Sequence, residues 1–374
     1  MIQLQDDPAV IVVGRQAGTA HAFSPVIRAL HENKNINTAV IAFSPAHEVW
    51  KSVGIESMKI ESYREAERIL NGIHNPRFML TGTSSYAAED AYFWDWAFKR
   101  SVPSLAFVDH WVNYWQRFSS GLDGTSRFDV VPEKIAVIDQ LAVTRMIEAG
   151  CPARLLLITG HPGFDDLPRF RDMVNHEVRD RIMPSDCYSL VLFLSEPHSQ
   201  TYKTDKDSAL GYTEEDALAL TLIALERAGK DRCKRFCVAV KPHPIEEPTR
   251  IARVLEAYKE LEYVTAIIVD GHRYELVTAA DAVVGMTSVL LYEATLMGRP
   301  VISVQPNRLR QSDLADFHEG IEVVTDVEQA QIALEVALKL RDGERAPFNR
   351  SSLVNFNATN AFLSYILIRV AQGK

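Results

Sequence analysis

The chain has 374 residues, 47% of them hydrophobic and 24% charged, which is enough for two domains with a sizeable core in each. Its formal net charge of −9 excludes a broad nucleic-acid footprint but not a nucleotide, whose phosphates need only a local pocket. No apolar run approaches the ~20 residues of a membrane span, the start M-I-Q-L-Q-D-D-P lacks a basic region followed by an apolar core, and Cys151, Cys187, Cys233 and Cys237 form no C-x-x-C pair. The expectation is a cytoplasmic protein with free thiols.

Residues 10–13 form an apolar strand that enters G-R-Q-A-G-T-A-H, after which Phe23, Val26, Ile27 and Leu30 recur at helical spacing. Pro25 falls in the first turn of that helix, where a missing N–H costs little. Gly18 permits close approach of a ligand to this loop, although the glycines are not spaced as G-x-G-x-x-G and the dinucleotide fingerprint is absent. His21 either meets a phosphate or an acceptor, or caps the helix.

Strand 38–43, helix 46–53, strand 57–60, helix 62–71 and strand 78–81 follow, and then the turn Gly82-Thr83-Ser84-Ser85 before a helix over 87–100. Continuous apolar strands alternating with helices imply a parallel sheet covered on both faces. Strand 104–108 delivers Asp109 and His110. Four of the five tryptophans lie between residues 94 and 115. Trp111, Trp115 and Phe118 share one helical face, as core residues do. Aromatic faces also stack on sugar rings, and Asp109, His110, Asn113 and Arg117 would then form a polar rim for a hydroxyl-rich acceptor. Asp109 is read either as a helix N-cap or as a ligand-facing carboxylate, since open α/β sheets bind ligands at the carboxyl ends of their strands. Asp123, in the loop 121–126, is a second acid candidate. Strand 134–138, helix 140–149 and strand 155–159 complete this half.

The polar stretch 165–187 reads as a domain boundary, and strand 189–194 restarts the pattern. Its loop carries Ser195, read as facing a donor phosphate or sugar or as part of an ordinary polar loop. An insert at 201–212, a helix over 214–228 and strand 236–240 lead to Lys241-Pro242-His243-Pro244. Two prolines keep that segment extended and place a cation and an imidazole at the strand's carboxyl edge. Helix 248–260, strand 265–269 and helix 274–279 precede strand 282–284 and the turn at Gly285. Thr287 and Ser288 suit the cap of the next helix, with Leu290, Leu291, Ala294 and Met297 inward. Gly298 and Pro300 end it before strand 301–304. A helix N-terminus at the end of a parallel strand is a ready anion site, so a phosphate is expected here. Residues 306–321 read as irregular, and helices follow over 327–340 and 358–371.

The Lys-Pro-His-Pro turn together with the Thr-Ser pair resembles the carboxyl-terminal half of GT-B-fold nucleotide-sugar enzymes. The likeness is nearest to bacterial sialyltransferases, Kdo-transferases and CDP-glycerol phosphotransferases, with the UDP-N-acetylglucosamine 2-epimerases as a neighbour of the same architecture. Gly160-His161-Pro162-Gly163-Phe164-Asp165 resembles the G-x-P-x-x-D segment that opens the second domain in epimerase-like members. The resemblance implies a GT-B-like α/β fold of two Rossmann-like parallel-sheet domains facing a central cleft. These are an acceptor domain (1–165), a nucleotide-binding domain (187–350) and a last helix (351–374) crossing back onto the first.

It implies that Lys241, His243, Gly285, Thr287 and Ser288 meet the donor phosphates and Glu293 the ribose, with Gly18, His21 and Ser195 contributing. The base is left among Asp109, Asp123 and His110. Some sialyltransferases carry two acids before the glycine of their base segment, whereas here Leu122 takes one of those places. The implied activity is metal-independent glycosyl or glycerophosphate transfer from a CMP- or CDP-linked donor. The acceptor would be a glycan or lipid-linked molecule of surface polysaccharide biosynthesis, compatible with contact at the inner membrane face. No cofactor beyond the nucleotide-sugar substrate and no nucleic-acid partner are expected. The alternatives are a UDP-sugar 2-epimerase or hydrolase of the same fold, and a non-enzymatic nucleotide-binding protein.

Overall fold

Every strand pairing is parallel, and each of two sheets is wound outward from its own first strand. The computed structural model describes residues 8–84, 88–121, 123–171, 173–201, 210–243, 246–311, 314–316, 318, 320–340 and 357–372. These fall into one unit comprising Met1–Asp166 with Arg350–Lys374, and another comprising Leu167–Asn349.

The first unit runs β1 (Ala9–Gly14), α1 (Ala17–Glu32), β2 (Asn37–Ala42), α2 (Ala46–Ser52), β3 (Met58–Lys59), α3 (Tyr63–Asn71), β4 (Pro76–Thr81), α4 (Ala91–Lys99), β5 (Ser104–Val108), β6 (Lys134–Val137), α5 (Gln140–Glu148) and β7 (Leu156–Ile158). The strand order is β3-β2-β1-β4-β5-β6-β7. Val10 to Val13 are fully buried, as a central parallel strand covered by helices on both faces must be. The winding reverses between β1 and β4, and the loops leaving these two strands diverge at the carboxyl edge.

The second unit runs α6 (His176–Ile182), β8 (Ser189–Leu194), α7 (His198–Thr201), α8 (Glu214–Arg232), β9 (Phe236–Lys241), α9 (Pro248–Ala257), β10 (Val264–Ile268), α10 (Arg273–Ala279), β11 (Ala282–Gly285), α11 (Val289–Leu296), β12 (Val301–Val304), β13 (Ile321–Val324) and α12 (Val327–Ala337). Its order, β10-β9-β8-β11-β12-β13, repeats the same reversal between β8 and β11. Thr213 and Asp216 form a reciprocal capping box at the start of α8. Gly298, at φ +77°, takes the left-handed position after α11.

The last helix, α13 (Ala358–Gln372), belongs to the first unit. Asp165 accepts from the N–H groups of Ala358 and Thr359 at 3.0 and 2.8 Å, so a carboxylate satisfies two orphan donors at the positive end of the helix. Phe362 packs edge-on against Phe23 and Phe107, with ring centroids 6.1 and 5.3 Å apart.

Several local readings differ from the sequence pattern. Pro25 lies in the interior of α1 and not in its first turn, because the helix already begins at Ala17. Residues 176–182 form a helix inside the polar boundary stretch, capped by Asn175, whose side chain accepts from Val178 N–H. β13 begins at the last residue of the segment read as irregular and runs on through residues given no element, being only four residues long and at the sheet edge. α11 is buried on nearly every side, Glu293 included, rather than on one face. Among the described residues no helix is long and apolar enough to cross a membrane.

Phe362→Ala removes a fully buried ring from the contact between α13 and the first sheet. It should lower unfolding free energy by about 3–5 kcal/mol, read from the urea midpoint of this variant against the parent.

Candidate functional site

At the β1/β4 reversal the backbone is packed tightly around a nest of charged side chains. A Cβ on Gly18 would lie 2.6 Å from Asp109 Oδ2, and one on Gly82 would lie 2.2 Å from Thr19 Oγ1. Both positions therefore need glycine for close approach. Asp109 leaves the end of β5 with its side chain 12% exposed, 3.4 Å from Nη1 of Arg117, which is completely buried. The same Nη1 donates to Thr83 Oγ1 at 2.7 Å, and Nε donates to the Val112 carbonyl at 3.2 Å. Burial raises the Asp109 pKa, opposed by Arg117 and by the residue's own backbone N–H.

Beside this pair sits Asp90, buried, its Oδ2 accepting from Ser84 N–H at 2.9 Å. Burial pushes its pKa up to about 7, with Glu89 adding to the effect and Arg15, the Ser84 hydrogen bond and Arg117 opposing it. Ser84 Oγ donates to Glu89 at 2.6 Å. Arg15 lies 3.8 Å over the Phe43 ring, donates to Tyr63 Oη at 2.8 Å and pairs with Glu89 at 3.6 Å.

The other first-unit candidates have separate surroundings. His110 Nδ1 accepts from Trp111 N–H at 2.8 Å. Asp123 is exposed and folded onto its own loop, accepting from Thr125 N–H and Oγ1 at 3.0 and 2.8 Å, which lowers its pKa. His21 is half-buried on α1.

The predicted aromatic platform needs correction. Trp94 stacks on Phe118 at 5.4 Å and donates to Thr81 Oγ1, while Trp111 is fully buried and donates to Asp139 Oδ2 at 2.9 Å. Once the indole N–H groups have partners, these rings belong to the core. Arg117 is likewise interior rather than part of a rim. Asn113, at φ +57°, interrupts the expected helix, leaving only a short turn at Gln116–Phe118. Trp115 alone of the rings 94, 111 and 115 remains partly exposed, with Arg127 5.1 Å from its centroid.

The second unit carries its polar groups at the β8/β11 reversal. Ser288 caps α11, its Oγ accepting from Leu290 N–H at 3.2 Å. The preceding N–H and hydroxyl, those of Thr287, donate to Glu196 at 2.6 and 3.1 Å. A carboxylate of the chain itself thus occupies the position predicted for an anion. His198 Nε2 lies 3.1 Å from Thr287 Oγ1 and 3.6 Å from Glu196. Burial would raise the Glu196 pKa, but His198 and the Thr287 hydrogen bonds outweigh it and hold the group lower. Ser195 Oγ and His243 N–H both donate to Glu246, at 2.7 and 2.5 Å.

Lys241 ends β9 half-buried and His243 is exposed, while Pro244 lies outside the described residues. A Cβ on Gly285 would come within 3.1 Å of the Leu194 carbonyl. Glu293 is buried, 3.6 Å from Arg273, and burial raises its pKa against the Arg273 charge. Of the seven second-unit candidates, Ser195 and His243 share Glu246, Thr287 bonds Glu196 and Glu293 faces Arg273, while among the described residues no such contact joins Lys241, Gly285 or Ser288 to these acids or to Arg273; Glu196, Glu246 and Arg273 were unforeseen.

Two doubly wound parallel sheets with this pattern identify the architecture. The fold is that of the UDP-N-acetylglucosamine 2-epimerases. The enzyme of that name from Methanocaldococcus jannaschii matches with a TM-score of 0.66 at 13% identity, over 96% of this chain and 99% of that one. The UDP-GlcNAc-bound 2-epimerase from Neisseria meningitidis gives 0.66 at 13%, over 96% and 100%. A glycosyltransferase from Rickettsia africae gives 0.59 at 10%, over 98% and 97%. These likenesses place the chain in the GT-B-like fold group. Neither a protein-family model nor a curated protein matches the sequence.

Asp90 makes a pH-dependent contribution of definite sign. Its folded pKa of about 7 exceeds the ordinary 3.8, so the contribution is complete below about pH 4 and disappears as pH rises through 7. Asp90→Asn should remove a loss of a few kcal/mol between pH 5 and pH 8. Urea unfolding of both proteins at the two pH values checks this, and equal slopes would count against it.

Proposed function

We propose that the chain acts on a UDP-linked sugar, as an epimerase or hydrolase. The observation that carries this reading is the buried carboxylate pair Asp109 and Asp90 at the carboxyl edge of the first sheet. Both have raised proton affinity, and Asp90 reaches about 7. Inverting a carbon centre requires one group to take a proton and another to return one, and proton transfer is most efficient for groups titrating near the working pH. A hydrolase uses the same pair on water. Asp109 is assigned as base, and Asp90 as the group that holds and returns a proton. Lys241, His243, Gly285, Thr287 and Ser288 are assigned to the diphosphate and Glu293 to the ribose, with Gly18, His21 and Ser195 as further binding residues. His110 and Asp123 are left as secondary acid–base candidates. No resident metal or cofactor enters the scheme.

The fold shared with the 2-epimerases, one of them bound to UDP-GlcNAc, supports this choice. A second reading, sugar or glycerophosphate transfer from a CMP- or CDP-linked donor, is favoured by Lys241-Pro242-His243 at the end of β9. It is weakened because Trp94 and Trp111, expected to receive an acceptor, are buried, while Trp115 is partly exposed. A lipid-linked acceptor and contact with a membrane surface belong only to that reading.

The test is to incubate the protein with UDP-N-acetylglucosamine alone and follow the sugar by NMR, then repeat with CMP- and CDP-linked donors and a glycan acceptor. Conversion without acceptor is expected. Asp109→Asn should lower turnover at least ~100-fold while thermal stabilisation by UDP persists. Strict dependence on an acceptor would overturn the proposal in favour of transfer, and UDP binding without turnover of any donor would leave a nucleotide-binding protein.

A further inference from the structure

We infer that Arg117 is a positioning residue that holds the Asp109 carboxylate in place and ionised, an inference that rests on Asp109 being the base. The guanidinium has no exposed surface. Its bonds run to three places, Nε to the Val112 carbonyl, Nη1 to Thr83 Oγ1 and Nη1 to Asp109. Among the described residues its Nη2 is buried with no hydrogen-bond partner. The guanidinium thus ties together the end of β4, the end of β5 and the segment after β5. It thereby fixes Asp109 against the first turn of α1, where Gly18 leaves it room.

Among the described residues, Arg117 pairs directly with Asp109. The same guanidinium acts on Asp90 of the loop after β4, whose other charged neighbours are Arg15 and Glu89. His110 follows Asp109 in the chain. Of these, Arg117 is the group that acts directly on Asp109 against the effect of burial.

Arg117→Met should therefore move the acid limb of the kcat/KM profile towards higher pH. The ratio of activity at pH 8 to that at pH 6 should rise about tenfold, whereas Arg117→Lys, which keeps the charge, should rise much less. Removing one partner of a buried pair leaves the other uncompensated. The melting temperature lost by Arg117→Met should accordingly be largely restored when Asp109→Asn is added.

Variants that lose melting temperature but keep the parent's pH profile would reduce Arg117 to a structural residue and overturn the inference. So would a double variant no more stable than Arg117→Met. A parent that turns over UDP-sugar while Asp109→Asn does so equally well refutes the inference and the assignment of Asp109 as base, and leaves the activity on a UDP-linked sugar standing. A parent inert towards every UDP-sugar refutes the proposed function, and the inference falls with it.

Discussion

The constraint on which the structure depends is that each sheet starts in its middle. β1 and β8 are laid down first, two strands are added on one side, and the chain must then cross to the other side. Crossovers between parallel strands are nearly always right-handed, so helices cover both faces and the strands must be apolar throughout. The polar residues are left for the carboxyl edge, where the departing loops diverge at each reversal. The positions of Arg15, Gly18, Thr83, Asp90 and Asp109 in one unit, and of Ser195, Glu196, Gly285, Thr287 and Ser288 in the other, all follow from that winding.

Placing ionisable groups at a packed edge has an energetic price. A buried ion without a partner costs several kcal/mol, and the chain meets this through pairing. Glu214 has no exposed surface and accepts from Ser199 N–H at 2.9 Å, with Arg250 3.9 Å away. The compensation at Asp109 and Asp90 is only partial, so their proton affinities stay high. Incomplete neutralisation weakens the fold, and at Asp90 it carries the carboxyl up to about 7.

The strands were legible because a parallel strand buried on both faces is a continuous apolar run. β5, β8 and β12 read correctly to the residue or nearly so, whereas β13 is short and half exposed and leaves no such signature. Local chemistry was equally legible, as at the Ser288 cap and the left-handed Gly298. The interior of the site was not. Arg117 bonds Thr83 across 34 positions and Thr287 bonds Glu196 across 91, and no periodicity encodes such pairings. Glu89 and Asp90 fall inside the helix expected over 87–100, whereas α4 starts only at Ala91 and Asp90 is buried before it. The tryptophans misled for the same reason, since a ring's exposure depends on where its N–H finds an acceptor.

The contact between Glu196 and Thr287 has one more consequence. Any anion that reaches the Thr287 amide meets an occupant that cannot diffuse away, because Glu196 is tethered two residues beyond β8. Such an occupant acts as an internal competitor at high effective concentration. An incoming anion does not fill a vacant seat but exchanges with a resident one. Its observed affinity is the difference between two anion affinities, and its arrival displaces only the Glu196 carboxylate, since Ser195 and Ser199 keep the rest of that loop bonded to Glu246 and Glu214.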